Sequence, residues 1–449
     1  MASFGTAPEL HPLLISRMEE ARLRTDRLFE LLPSNSFYDR PVAERHRLIF
    51  YLGHLEAFDW NLLSPALDLE SHDPSFDNLF AFGIDPVGGG LPTDEPGDWP
   101  NIAQVEKYNW RVRDRLDESL RGSRARRSAD PNLRDGTLLQ TAIEHRLMHA
   151  ETLAYLLHNL PAERKTPQAP AFADPRPAPA QRQATIPAGI ATLGQPRRPG
   201  SFGWDNEFEE QQIEVPAFSV NVFPVTNDEY LKFVRAGGYE DASYWKPEDW
   251  EWVRRGRIAH PHYWIQRSSS HATDPDTQWE YKAMFGTIPL PLSWPVYVSH
   301  AEASAFARWA GKKLPSEAQW HRAAYGTPNE TEAWYPWGGA APESSRGNFH
   351  HENWDAAPVD AHPAGTSAFG AEDLVGNGWE WTSTPFGPLP GFARSSFYPG
   401  YSANFFDGKH FVMKGGSPRT DACMLRRSFR NWFQPHYSQV YATFRCIED

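Results

Sequence analysis

The chain has 449 residues, of which 40% are hydrophobic and 22% charged, and its net charge is −13. That length permits two domains, the acidic balance disfavours nucleic acid and anionic membrane as partners, and no uninterrupted apolar run approaches the roughly 20 residues of a membrane span. The N-terminus lacks the basic flank and apolar core of a signal peptide, and the two cysteines, Cys423 and Cys446, read as buried inert thiols, so a soluble cytoplasmic protein is expected.

Four segments of the first 162 residues read as amphipathic helices: residues 9–32, 41–63, 100–121 and 137–160. Long helical segments joined by loops predict a four-helix bundle. Pro41 suits the first turn of the second helix. Leu48, Leu52, Leu55, Phe58 and Leu62 form its apolar stripe, which places His54 beside a buried face. The loop from Pro65 to Trp99, with Gly88-Gly89-Gly90, has the length of a lid or a partner surface. The basic run from Arg121 to Arg127 reads as a solvated helix end.

The fourth helix carries the most chemistry. Thr137 and Gln140 read as a capping box, and Pro161 ends the helix. Four residues make about one turn, so His145 and His149 project from one face, close enough to share a metal ion. Arg146 stands where a zinc-protease motif needs its general-base Glu, which excludes that chemistry. Such a pair also fits ordinary surface or core histidines; His54 favours the metal reading. Three imidazoles from two helices leave coordination positions open and suit iron(II), zinc or copper.

Residues 163–185, dense in Pro, Ala and Gln, read as an extended linker. Residues 186–449 read as a second domain, making the whole an α+β multidomain chain. Strands are predicted near residues 186–189 and 213–220. Helices are predicted from Thr226 to Ala236, capped by Thr226 with Glu229, from Ser299 to Ala310, and after Ser316. The rest is turns and short strands, and 18 Trp in a chain that is 14% aromatic suggest loops pinned by large rings. Ring faces also bind quaternary ammonium groups.

The runs Phe223-Pro224-Val225-Thr226-Asn227, Leu314-Pro315-Ser316-Glu317-Ala318-Gln319-Trp320, Gly376-Asn377-Gly378-Trp379-Glu380-Trp381 and Gly415-Gly416-Ser417 resemble the formylglycine-generating-enzyme-like domain, a variant of the C-type-lectin fold. The first region, with His54 and the His145/His149 helix, resembles the DinB-type bundle. In this order the two resemble the EgtB-like sulfoxide synthases over nearly the whole chain. The resemblance implies a mononuclear non-haem iron(II) site held by His54, His145 and His149, where O2 is used to join sulfur to the imidazole carbon of hercynine, the trimethylated betaine of histidine. It also implies hercynine contacts at Asn431, Trp432 and Tyr401, and makes Tyr398, in Tyr398-Pro399-Gly400-Tyr401-Ser402, the proton donor to reduced oxygen. A phenol with an ordinary pKa of about 10 carries that proton at neutral pH.

Departures from the family pattern bear on the chalcogen donor. Enzymes using γ-glutamylcysteine carry Asp-x-Pro-x-Arg after Asn-Trp, whereas here Phe433 and Tyr437 stand at the acidic and basic positions. Losing that charge pair removes the grip on an amino-acid donor, and aromatic rings suit the CH face of a sugar. Met148 stands where some members place a Gln that contacts hercynine. The altered segment resembles the selenoneine synthases, which take hercynine and a selenosugar, 1-selenoglucose. The alternatives are an ergothioneine-type sulfoxide synthase using cysteine, γ-glutamylcysteine or another thiol, and a non-catalytic lectin-like receptor. Formylglycine generation is disfavoured because Cys423 and Cys446 lie outside that family's motif. Small-molecule substrates are expected, and oligomeric state is left open.

Overall fold

The computed structural model describes residues 10–81, 91–169, 171, 176–198, 200–267 and 279–448. The chain forms two compact units, Met1–Gln168 and Ala169–Asp449. The Gly88-Gly89-Gly90 run lies outside the described residues.

The first unit is helical. Its helices are α1 (Leu10–Phe29), α2 (Leu48–Leu63), α3 (Pro74–Leu79), α4 (Ile102–Arg121), α5 (Ser123–Arg127), α6 (Pro131–Arg134) and α7 (Thr137–Asn159). The long ones, α1, α2, α4 and α7, are the four expected; α7 packs on α1 and α2, and α2 packs on α4. Two details differ from expectation. Helix α2 starts at Leu48, not Pro41, because the Leu48 and Ile49 amides bond back to the Asp39 and Phe37 carbonyls, at 3.1 and 2.6 Å, which spends first-turn donors on the preceding loop. Thr137 does not cap α7. The N-cap is Gly136, at φ 83°, a left-handed conformation that favours glycine, and no side chain bonds from it. The Asp135 carboxylate instead accepts from the Thr137 amide at 2.9 Å.

Helix α2 has buried residues on nearly every side, and α7 is buried along most of its length. Charge among the helices must therefore be paired. Arg146 on α7, 1% exposed, donates to Asp59 Oδ2 at 2.6 Å, to Glu56 Oε1 at 3.0 Å, to the Leu55 carbonyl at 3.0 Å and to Thr25 Oγ1 at 3.3 Å. Glu56 also accepts from Arg113 on α4, whose guanidinium holds Asp26 on α1 through two 2.7 Å bonds. The network thus ties all four long helices. Burial alone would raise the Glu56 carboxyl, but Arg146 and Arg113 outweigh it and hold its pKa down at about 2.

The second unit contains β1 (Gln183–Ile186), β2 (Gly189–Leu193), β3 (Gln211–Val215), β4 (Phe218–Asn221), α8 (Asn227–Arg235), α9 (Pro247–Gly256), β5 (Trp264–Gln266), β6 (Trp279–Ala283), β7 (Gly286–Pro289), α10 (His300–Trp309), α11 (Glu317–Tyr325), β8 (Gly378–Pro385), β9 (Phe411–Gly416), β10 (Asn431–Phe433), β11 (Ala442–Thr443) and β12 (Ile447–Glu448). Strand β1 takes the last residues of the stretch read as linker. The expected capping box of Thr226 with Glu229 is present, and two more, Ser299 with Glu302 and Ser316 with Gln319, start α10 and α11. Among the described residues, four small sheets have the orders β1-β4-β12, β2-β3, β5-β6-β7 and β10-β9-β8-β11. Trp320 and Tyr325 of α11 pack into a core with Ile186, Val220, Phe349 and Leu374.

In the last sheet β10 is an edge strand, with Asn431, Trp432 and Phe433 opposite Met413, Val412 and Phe411 of β9. Buried pairs hold the chain around it: Arg445 with Glu380 at 2.6 Å, and Arg430 with Glu317 at 2.9 Å. Asp373, just ahead of β8, accepts from Asn377 Nδ2 at 2.8 Å, and burial pushes its carboxyl up to about 8.

Replacing Arg146 by Met strands the buried Asp59 carboxylate and leaves Glu56 with Arg113 alone, and denaturant unfolding is expected to show a loss of about 3–5 kcal/mol, restored in part when Asp59→Asn is added. The second unit carries a pH signature. A carboxyl whose folded pKa lies above its unfolded value near 3.8 contributes stability below that value and loses it as pH rises through the folded pKa, so stability is expected to fall from about pH 4 to about pH 8. Melting curves of Asp373→Asn should lack this component.

Candidate metal centre and substrate-binding segments

His54 of α2 and His145 and His149 of α7 are 2%, 3% and 1% exposed. One nitrogen from each lies within 4.8 Å of the others, and this is the group of potential metal ligands among the described residues. Ring stacking sets two of the orientations: Phe58 lies on His145 at 3.4 Å between centroids, and Phe50 on His54 at 4.8 Å. Burial lowers the pKa of His54 to about 4, against a smaller opposing effect of the Phe80 carbonyl, and burial holds His145 and His149 well below the ordinary histidine range. All three are therefore neutral at pH 7, the form in which imidazole binds metals.

The fit to a metal ion rests on two further observations. His149 Nδ1 is buried without a hydrogen-bond partner among the described residues, a cost that a ligated ion would remove. His54 Nδ1 lies 2.6 Å from the Phe80 carbonyl. A carbonyl accepts only, so Nδ1 carries the proton and Nε2 keeps its lone pair for an ion. Gly53 makes this bond possible: a Cβ there would stand 2.6 Å from the Phe80 ring carbons. Gly53, Phe80 and the Arg146 network escaped the sequence reading. The visible signal for the network was the acidic pair Glu56 and Asp59, three residues apart and so on one helical face, two and five residues past His54.

The other expected site residues belong to the second unit, except Met148, which is on α7 with its carbonyl accepting from Thr152 Oγ1 at 3.2 Å. Tyr401 lies edge-on to Trp432 at 5.4 Å and stacks on Trp204 at 4.0 Å, and Tyr398 is 5.8 Å from Tyr401. Trp432 also stacks on Phe386 at 4.2 Å. The turn from Trp204 to Glu207 staples these segments: Asp205 accepts from the Ser402 hydroxyl at 2.5 Å, and Glu207 from Arg426 and Ser428, both at 2.7 Å. Phe433 and Tyr437 stack at 5.0 Å. Successive side chains of a strand face opposite ways, so Trp432 and Phe433 serve different faces of β10, with Asn431 on the Phe433 side.

Residues 169–449 match the family described as sulfatase-modifying factor enzyme 1-like domain, and residues 17–153 match the DinB superfamily. Hercynine oxygenase of Mycolicibacterium thermoresistibile is 35% identical over 314 residues, 68% of each chain. The chain belongs to the EgtB-like family of hercynine oxygenases. Hercynine oxygenase of Mycobacterium tuberculosis is 38% identical over 55% of this EgtB-like chain and 56% of its own length, and ergothioneine biosynthesis protein 1 of Neurospora crassa is 27% identical over 94% and 56%. The matches thus span between about half and two thirds of these relatives. Among the described residues, no helix of this EgtB-like chain is long and apolar enough to cross a membrane.

His149→Ala is expected to abolish stoichiometric metal binding, read by elemental analysis, while leaving the circular-dichroism helix signal in place. Gly53→Ala should displace Phe80 and weaken metal affinity by roughly 10–100-fold, the usual effect of losing the partner that orients a ligand.

Proposed function

We propose that this chain is a non-haem iron(II), O2-dependent selenoneine synthase that forms a carbon–selenium bond between 1-selenoglucose and the imidazole carbon of hercynine. The observation that carries the reading is the stacked pair Phe433 and Tyr437, at positions where γ-glutamylcysteine-using relatives carry an Asp and an Arg. An amino-acid donor brought there would lose water from its charged ends without gaining a charge partner from these two positions. A sugar's CH face loses nothing comparable, and it gains ring contact.

His54, His145 and His149 would hold the iron, which when bound supplies the one-electron chemistry with O2 that an oxidative carbon–selenium bond needs. Tyr398 holds a phenolic proton for transfer to reduced oxygen. Tyr401 and Trp432 offer ring faces to the trimethylammonium of hercynine. Asn431 Oδ1 accepts from the Trp432 amide at 2.8 Å, which leaves the Asn431 Nδ2 hydrogens to donate on the Phe433 face of β10, across the strand from the Trp432 ring. Met148 has no strong donor, so its contact with hercynine would be apolar.

The second reading, an ergothioneine-type sulfoxide synthase, is favoured by the relatives' names, hercynine oxygenase and ergothioneine biosynthesis protein 1. Anaerobic protein loaded with iron(II) and hercynine, then given O2 with 1-selenoglucose or with γ-glutamylcysteine in parallel, separates the two. Mass spectrometry should find the selenium adduct in the first arm. Abundant sulfoxide in the second arm with nothing in the first would transfer the assignment to sulfur, and product in neither would favour a receptor.

A further inference from the structure

In the segment that follows Trp432, His436 is held from outside the segment. His436 Nε2 lies 2.8 Å from Asp249 Oδ1, and the His436 ring stacks on Trp252 at 4.8 Å between centroids and 3° between planes. Both partners come from α9. The Asp249 side chain is 6% exposed and sits in the first turn of that helix, whereas 32% of the His436 side chain stays accessible. The ring is thus fixed in position, in plane and at one nitrogen, with its other edge open to a ligand.

A carboxylate accepts only, so Nε2 carries the hydrogen of this bond, and the tautomer with its single hydrogen there presents Nδ1 as an acceptor. The surroundings are aromatic. Phe433 stacks on Tyr437, and Phe411, directly opposite Phe433 across the strand pair and therefore on its face, stacks on His300 at 3.8 Å. Lys246, the residue before α9, lies over the Phe411 ring at 5.7 Å. Flat rings beside one oriented acceptor match a neutral polyhydroxylated ring, whose CH face packs on an aromatic and whose hydroxyl donates to nitrogen.

We propose that His436 is a specificity-determining residue for the chalcogen donor, its Nδ1 accepting a hydrogen bond from a sugar hydroxyl, with Asp249 and Trp252 as positioning residues that fix the imidazole. The proposal rests on the selenosugar reading given above and adds to it the group that reads the hydroxyls.

Steady-state kinetics of the iron-loaded full chain test it. His436→Ala is expected to raise KM for 1-selenoglucose at least tenfold, with KM for hercynine within twofold of wild type and metal content unchanged. His436→Gln keeps a carbonyl acceptor and should recover most of the loss, and Asp249→Asn should fall between the two. A side chain that merely ties the segment to α9 would move both KM values together. That outcome overturns the proposal, as does an unchanged KM for the sugar in His436→Ala, or a His436→Gln no better than His436→Ala. A wild-type protein that ignores 1-selenoglucose while turning over γ-glutamylcysteine overturns the donor reading instead.

Discussion

One buried guanidinium sets the conditions for the first unit. Arg146 sits between His145 and His149 in sequence, yet it reaches away from them into two carboxylates, a carbonyl and a hydroxyl on α2 and α1. A fully buried charge tolerates few alternatives, because each shift of α2 along α7 would leave a carboxylate or a guanidinium unpaired in a medium that screens poorly. His54 lies two residues from Glu56 and five from Asp59. Fixing those carboxylates against Arg146 therefore fixes the height of His54 relative to its two counterparts. The pairing also keeps both acids occupied, so the potential ligand group consists of imidazoles alone.

Neutrality and orientation of those imidazoles have separate causes. Burial strips the rings of protons, and aromatic neighbours and the Phe80 carbonyl turn them. The second unit solves a harder version of the same problem, since most of its backbone lies outside helices and long strands. Buried ion pairs substitute for regular hydrogen-bond ladders there: Glu207 with Arg426, Glu317 with Arg430 and Glu380 with Arg445 each tie a loop to a distant part of the sequence. The candidate substrate residues Tyr401 and Trp432 stand on this stapled framework, which is how irregular chain can hold aromatic rings in fixed mutual positions.

Local patterns in the sequence were informative where structure is decided locally. Periodicity located the four long helices, and Thr226 followed by Glu229 located the start of α8, because a capping box is complete within four residues. The spacing of His145 and His149 was legible for the same reason. The start of α7 was misread because Asp135 satisfies the Thr137 amide and Gly136 makes the turn, a solution that leaves Thr137 and Gln140 looking like a cap. The start of α2 depends on carbonyls nine and twelve residues earlier, which no local rule reaches. Helix α9 went unread although Pro247, the acids Glu248 and Asp249, and Arg254 and Arg255 near its end mark it. Gly53, Phe80 and the partners of Arg146 depend on contacts between distant segments, and those become visible only once the helices are packed.

The alternation along β10 has an evolutionary consequence. Adjacent residues 432 and 433 answer to different surroundings, one packed against Phe386 and Tyr401 and the other against Tyr437. A point substitution at 433 or 437 can change the packing on one face and leave the neighbouring indole in its stack, so one side can drift without rebuilding the other. A single-residue insertion before Phe433 has the opposite effect, because it turns the following side chains to the wrong side of the sheet. Lineages should therefore diversify here by exchange of residues at constant length.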